Sequence, residues 1–578
     1  MIRIFEPNAA ARAAIAGALA LSLTVAFVQP ADAAGGDSKQ VTSSTTFGNY
    51  LAGRYAEGQR DITTSAEFFK AALAGDPDNP ELLRRAFRLT AITGDWKTAV
   101  PLARKLVADE PDFALPNIAL VVDEFLNKKY GDALKRLDGL PRSGLTNFVV
   151  PLMEAWLLTA QDKPDDALAL LRDESKNDGF AVLFGAHRAL INELAKRPDA
   201  ADTAFKESID KRGTPNLRLS QLYGTFLELQ GKADEARKVY DSYREERAGS
   251  TMFDAALERI KSGKKPTPEI RSAADGMAEA MFSIASAIRQ QNSFESSLFF
   301  THLALRLKPD FAIAHLLVAE VMEGDERYAE ANRAYEMLAK DPTYGWTARL
   351  RIADNLDRLD KVDEAIATLR KLAAERKDRY EALVELGDLF RRRERFPEAV
   401  EAYDEAKKRI PKLENQHWAM LYASGIALER SKHWDRAEAD FLKALELEPD
   451  QPFVLNYLGY SWVEQGKNLK QAQEMIEKAV ARRPTDGYIV DSLGWVFYQL
   501  GNLDSAVKQL ERAVELKPQD PVINDHLGDV YWQIGRHQEA RFQWQRALSF
   551  EPEKDLVAKI EKKLKEGLPP VAAPPKGI

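Results

Sequence analysis

Cysteine is absent from all 578 residues of the chain. Disulfides, thiolate nucleophiles and cysteine-ligated metals are thereby excluded. Histidine is scarce: the seven, at positions 187, 302, 315, 417, 433, 526 and 537, form no HExxH pair and no close cluster. Each therefore reads as a surface or packing residue, and no metal or other cofactor is expected. No GxSxG elbow, GxxxxGK[ST] loop or GxGxxG fingerprint occurs anywhere, so nucleophilic, nucleotide and dinucleotide chemistry have no foothold. Basic charge is not in excess either. A net charge of -8 argues against a nucleic-acid partner, which calls for a basic face against phosphates.

Long apolar runs are equally sparse. The one candidate, Ala13–Val28, spans 16 residues, short for a membrane helix. Arg3 and Arg12 lie before or at its start, and Ala31-Asp32-Ala33 after it supplies the small-x-small pattern of a signal-peptidase site. Residues 1–33 are thus expected to be a signal peptide cleaved after Ala33; retention as a membrane anchor is the other reading. No other stretch is apolar enough to span a bilayer, so a protein exported to the periplasm, without a transmembrane segment once cleaved, is expected.

What the chain does have is repetition. The stretch "GYIVDSLGWVFYQLGNLDSAVKQLERAVELKPQD" at 487–520 is followed by "PVINDHLGDVYWQIGRHQEARFQWQRALSFEPEK", with Gly494, Gly501, Ala506, Ala513 and Pro518 falling on Gly528, Gly535, Ala540, Ala547 and Pro552. Apolar residues recur at helical spacing on both sides of Gly501, which predicts a helix, a tight turn and a second helix in each copy. Small residues opening the second helix recur at Ser65, Ala99, Ala133, Ala167, Ala201, Ala236, Ser297, Ala331, Ala365, Ala399, Ala437, Ala472, Ala506 and Ala540. Nine of the thirteen steps are 34 residues; one, between Ala236 and Ser297, is 61. Four residues after the small marker comes a large residue in most copies, such as Phe69, Tyr240, Tyr403 or Trp544. A small site that admits a neighbouring helix and a large one that fills the gap beside it are what close helix packing needs.

These residues resemble the tetratricopeptide repeat, whose 34-residue unit carries Leu-Gly, an aromatic, a turn Gly, Ala, an aromatic, Ala and a closing Pro. The resemblance runs from about Gly48 to Pro552 and is strongest from Gly425 onward. It implies an all-α superhelix, an α-solenoid, of about 14 helix pairs in two arrays. After the signal, the expected divisions are a flexible linker at 34–46, an N-terminal array at 47–245, a junction at 246–270 around "KSGKKPTP", a C-terminal array at 271–552, and a capping helix with a Pro-rich tail at 553–578. The junction reads as a hinge, or else as one degenerate repeat within a continuous superhelix.

In proteins of this resemblance the first helices line a concave face that holds the ligand. The corresponding positions are Asn456 and Tyr460, then Asp491, Trp495 and Tyr498, then Asp525, Asp529 and Trp532. Steps of four and three place each set on one helix face. Exposed aromatics beside carboxylates are anchors for protein or peptide ligands; burial of Trp495 and Trp532 between repeats is the competing reading. Carboxylates at these positions would repel a C-terminal carboxylate, so a neutral or basic segment fits better. "LNYLGYSWVEQG", "DSLGWVFYQLG" and "HLGDVYWQIGR" further resemble exported bacterial proteins of this repeat class, including a lipoprotein adaptor of a carboxyl-terminal processing protease. Without cysteine this chain has no lipid-attachment site. The expectation is a non-catalytic periplasmic adaptor, with an envelope protease and its clients as partners. A structural part of an envelope assembly or export complex is the alternative.

Overall fold

The computed structural model describes residues 45–570 apart from 175–180, 211–215, 248–249 and 292. The expected leader, most of the expected linker and the last eight residues of the chain lie outside this range. The described residues contain thirty α-helices and no strand. Twenty-eight of them pack as fourteen consecutive pairs, from Thr46–Gly58 with Ile62–Gly75 to Pro521–Gln533 with His537–Ser549. The other two are Asp254–Lys261, inside the expected junction, and Lys554–Glu566 after the last pair.

The packing follows the marker. All fourteen marker residues are fully buried, and so is the residue four positions after each. The two serine markers fit because each satisfies its hydroxyl on the preceding first helix: Ser65 Oγ donates to Gly53 O at 3.0 Å and Ser297 Oγ to Ala285 O at 2.9 Å. The large partner needs its own space on that helix. A Cβ added to Gly387, Gly425 or Gly528 would stand 2.6, 2.5 or 2.5 Å from the ring of Tyr403, Phe441 or Trp544. Polar tips of buried rings are paired: Tyr240 OH donates to Glu228, Tyr335 OH to Glu323, and Tyr403 OH to Asp388.

Between the helices of a pair the chain turns through a left-handed residue. In thirteen described turns that residue has φ between +57° and +84°, and it is glycine in five of them: Gly94, Gly231, Gly466, Gly501 and Gly535. The rest use residues such as Asp162, Glu394 or Lys432. The long step from Ala399 to Ala437 accommodates the extra turn Asn415–His417 ahead of the helix Trp418–Arg430. The one extra residue before Ala472 is absorbed at Asn468, itself left-handed with φ 48°.

Two compact units divide the described chain, at Arg376 and Lys377. Residues 262–271 are non-helical, as "KSGKKPTP" predicts. Yet the first pair beyond them, Ala273–Arg289 with Phe294–Leu307, packs on the first helices of the array before them: Pro80–Ile92, Ala114–Leu126, Thr146–Ala160 and Ala181–Leu194. Phe87 and Trp96 meet the Phe299 ring edge-on at centroid distances of 6.4 and 6.0 Å, and Trp96 Nε1 donates to His302 O at 3.2 Å. Arg88 pairs with Glu295 at 2.6 Å, Arg306 with Asp123 at 2.5 Å, and Arg218 of the helix Leu217–Leu229 with Glu279 at 2.6 Å. Trp156 is fully buried against Gly276, and its Nε1 donates to His187 Nδ1 at 3.2 Å. Burial pushes the His187 pKa down to about 3, which keeps the ring neutral and its nitrogen able to accept. The unit at 36–376 therefore covers part of its own first-helix face.

Candidate functional site

The first helices of the unit at 377–578 are Glu381–Arg392, Trp418–Arg430, Pro452–Glu464, Gly487–Gln499 and Pro521–Gln533. The last of these starts at a proline preceded by Asp520, whose carboxylate accepts from the Val522 and Ile523 amides at 2.9 and 3.0 Å. The cap satisfies amides that have no partner within the helix. It also fixes where Asp525, Asp529 and Trp532 fall along the face.

Three of the helices place their facing residues in one connected row. Trp495 Nε1 donates to Glu464 Oε1 at 2.7 Å, and its ring stacks on Tyr498 at 4.9 Å and on His526 at 4.1 Å. His526 Nδ1 lies 3.0 Å from both oxygens of Asp491. Lys563, from the helix Lys554–Glu566, reaches Asp525 at 2.8 Å and Asp529 at 2.7 Å. Asp529 also accepts from Trp544 Nε1 at 2.9 Å. Trp532 is stacked on His537 at 4.2 Å and donates through Nε1 to Leu568 O at 3.0 Å.

The sequence-predicted residues thus fall into two groups. Asp491, Tyr498, Asp525 and Asp529 are buried and engaged within the chain; Asn456 is buried too, but its Oδ1 has no hydrogen-bond partner among the described residues. Tyr460, Trp495 and Trp532 are half-buried. Trp532 is covered in part by residues 567–568, whereas Tyr460 and Trp495 have the exposed Glu464 between them in sequence. Three contributors were not singled out from the sequence. His526 gave no signal because a lone histidine on a helix usually packs or is solvated. Glu464 and Lys563 could have been found by extending the facing positions one residue along the helix and into the cap.

The row carries strong local electrostatics. Burial works against a charge on His526, but Asp491 in direct contact, with Asp525 and Asp529 behind it, outweighs burial and raises its pKa above the ordinary value. Asp529 is pushed up to about 6 by burial and then by the charge of Asp525, against the opposing pull of Lys563. The Tyr460 hydroxyl is held neutral, by burial first and then by Glu464 and Asp491. The arrangement is one of aromatic faces, carboxylates and side-chain donors. Among the described residues no group of three or more His, Asp or Glu side chains could hold a metal ion, and no helix is long and apolar enough to cross a membrane.

Comparison with protein-family models agrees with this architecture. Family models described as tetratricopeptide repeat and TPR repeat match residues 350–414, 422–487 and 494–535. A TPR repeat-containing protein of Pseudomonas aeruginosa is 28% identical over 191 residues, 33% of this chain and 32% of that protein, so the match spans about a third of the relative's length. Among solved structures, the Cut9–Hcn1 hetero-tetramer of the APC/C is similar at a TM-score of 0.39 and 15% identity, over 91% of this chain and 97% of that one. Yeast Tom70 is similar at 0.33 and 13%, over 90% and 95%. The matched models are repeat models, and none describes a catalytic domain.

Proposed function

We propose that this chain of tetratricopeptide repeats is a non-catalytic adaptor that holds protein segments on the first-helix face of its C-terminal repeats. Such repeats generally mediate contacts between proteins. One observation carries the reading: helices 273–307 cover the first helices Pro80–Ile92, Ala114–Leu126, Thr146–Ala160 and Ala181–Leu194 of their own unit, while Tyr460, Glu464 and Trp495 lie along one first-helix face of the other unit and keep exposed surface. An indole, a phenol and a carboxylate along one face suit a neutral or basic peptide, with the aromatic rings contributing most of the contact energy.

The leader at 1–33 supports export to the periplasm, and the resemblance to protease adaptors makes an envelope protease with its clients the partner set to test. Crosslinked pull-down of the native chain from periplasm, beside a Trp495→Ala variant with unchanged circular dichroism, provides that test. Recovery of a protease and envelope clients with the native chain, and their loss with the variant, is the expected result. Equal recovery by both sinks the assignment of this face. Recovery of export components in place of a protease favours the structural role in an envelope assembly.

A further inference from the structure

The contacts of residues 563–569 are those of a bound peptide. Lys563 sits on the Asp525 and Asp529 carboxylates. Gly567 lies directly on the Trp532 indole, so close that a Cβ there would enter the ring. Its backbone, with φ 71° and ψ -165°, is open only to glycine. Two successive carbonyls are then read by side chains: Leu568 O accepts from Trp532 Nε1 at 3.0 Å and Pro569 O from Gln533 Nε2 at 2.7 Å.

The chemistry is selective for an extended segment with prolines. Leu568 and Pro569 each precede a proline, which steers both away from the helical region towards extended or polyproline II backbone. That conformation has no internal hydrogen bonds and leaves its carbonyls free. Pro569 and Pro570 have no N–H, so across these two residues the surface needs to offer donors alone. Trp532 and Gln533 offer an indole N–H and an amide NH2, adjacent on the last first helix. We infer that Trp532 and Gln533 form a recognition site for extended proline-bearing segments, that residues 567–570 of this chain occupy it in cis, and that a partner entering the last repeat displaces them. The inference rests on the adaptor reading and names the class of segment this end of the face takes.

Gly567→Val in the full chain evicts the segment without altering the site, because the new side chain collides with the indole and strains the backbone. The probe is a fluorescein-labelled peptide, Leu-Lys-Glu-Gly-Leu-Pro-Pro, followed by anisotropy. The native chain should bind it at least tenfold more weakly than Gly567→Val. Adding Trp532→Ala or Gln533→Leu to Gly567→Val should each remove most of the gain, with circular dichroism and the unfolding midpoint reporting that the fold is kept. A peptide with both prolines replaced by alanine should bind several-fold more weakly. Equal binding by the native chain and Gly567→Val overturns occupancy in cis; equal binding of the alanine peptide overturns the proline class. Either failure leaves the Trp495→Ala pull-down intact. Failure of the pull-down alone, with the peptide result as expected, sinks the adaptor reading and spares the site.

Discussion

A residue's place in the repeat decides what it can be changed to. Ala506 is fully buried at the helix crossing, so Ala506→Phe should overpack it and cost about 1–3 kcal/mol in urea unfolding. The left-handed turn is a weaker constraint. Lys432 holds φ 63° although its side chain is exposed, and an L-residue there is strained by about 1–2 kcal/mol. Lys432→Gly relieves that strain while adding freedom to the unfolded chain. The expected net gain is about 0.5–1 kcal/mol, seen as a raised urea midpoint.

Asp529 sets a pH dependence at the same scale. A carboxyl whose folded pKa, about 6, exceeds its unfolded value takes up its proton first in the native state. Stability therefore falls as pH rises from about 4 to about 6. His526, also raised, acts in the same sense above the ordinary histidine value: its stabilising contribution is present while protonated and is lost as pH rises through its folded pKa. Asp529→Asn, neutral throughout, should flatten the curve of unfolding midpoint against pH between 4 and 6 and weaken the histidine limb without abolishing it, because Asp491 still contacts His526. An unchanged slope in that window means the carboxylate is not the group responsible.

Elements show which parts of the architecture were legible. Helix pairs could be read because burial recurs with the period of the repeat: Ala99, Ala331 and Ala540 lie in equivalent surroundings, so one rule finds them all. The docking of Ala273–Arg289 and Phe294–Leu307 on earlier first helices could not, because it rests on single events such as Arg88 with Glu295 and Trp156 against Gly276. No period encodes a pairing between residues some two hundred positions apart. The candidate site divides in the same way. The facing positions followed from helical spacing, whereas the contacts of Lys563 and residues 567–569 depend on how the chain turns after its last helix. Gly276→Val tests the docked element directly, since the added side chain meets the buried Trp156 ring. It should cost about 1–3 kcal/mol and speed hydrogen exchange in Pro80–Ile92 and Thr146–Ala160, while exchange in Gly487–Gln499 stays as it was.

For the whole molecule, the two compact units predict where a protease cuts. The helix Val362–Glu375 ends just before Arg376 and Lys377, both exposed in a non-helical stretch. Brief trypsin treatment should cleave there early and give two resistant fragments, identified by mass; first cuts within 262–271 would move the weak point to the expected junction. The unit at 36–376 also departs from the usual economy of repeat arrays, in which each repeat touches only its neighbours and unfolding can stop at any boundary. Its covering pair bridges several earlier pairs and should make them unfold together.

That bridging has a consequence in time. Arg88 precedes Glu295 by 207 residues, and Trp96 precedes its acceptor at His302 by 206. Polymerising at about 5–20 residues per second, a ribosome adds the missing cover on the order of 10–40 s after the first helices emerge. Through that interval Phe87 and Trp96 have no Phe299 to meet. The nascent chain spends it with apolar surface uncovered, the condition under which a chaperone finds its client.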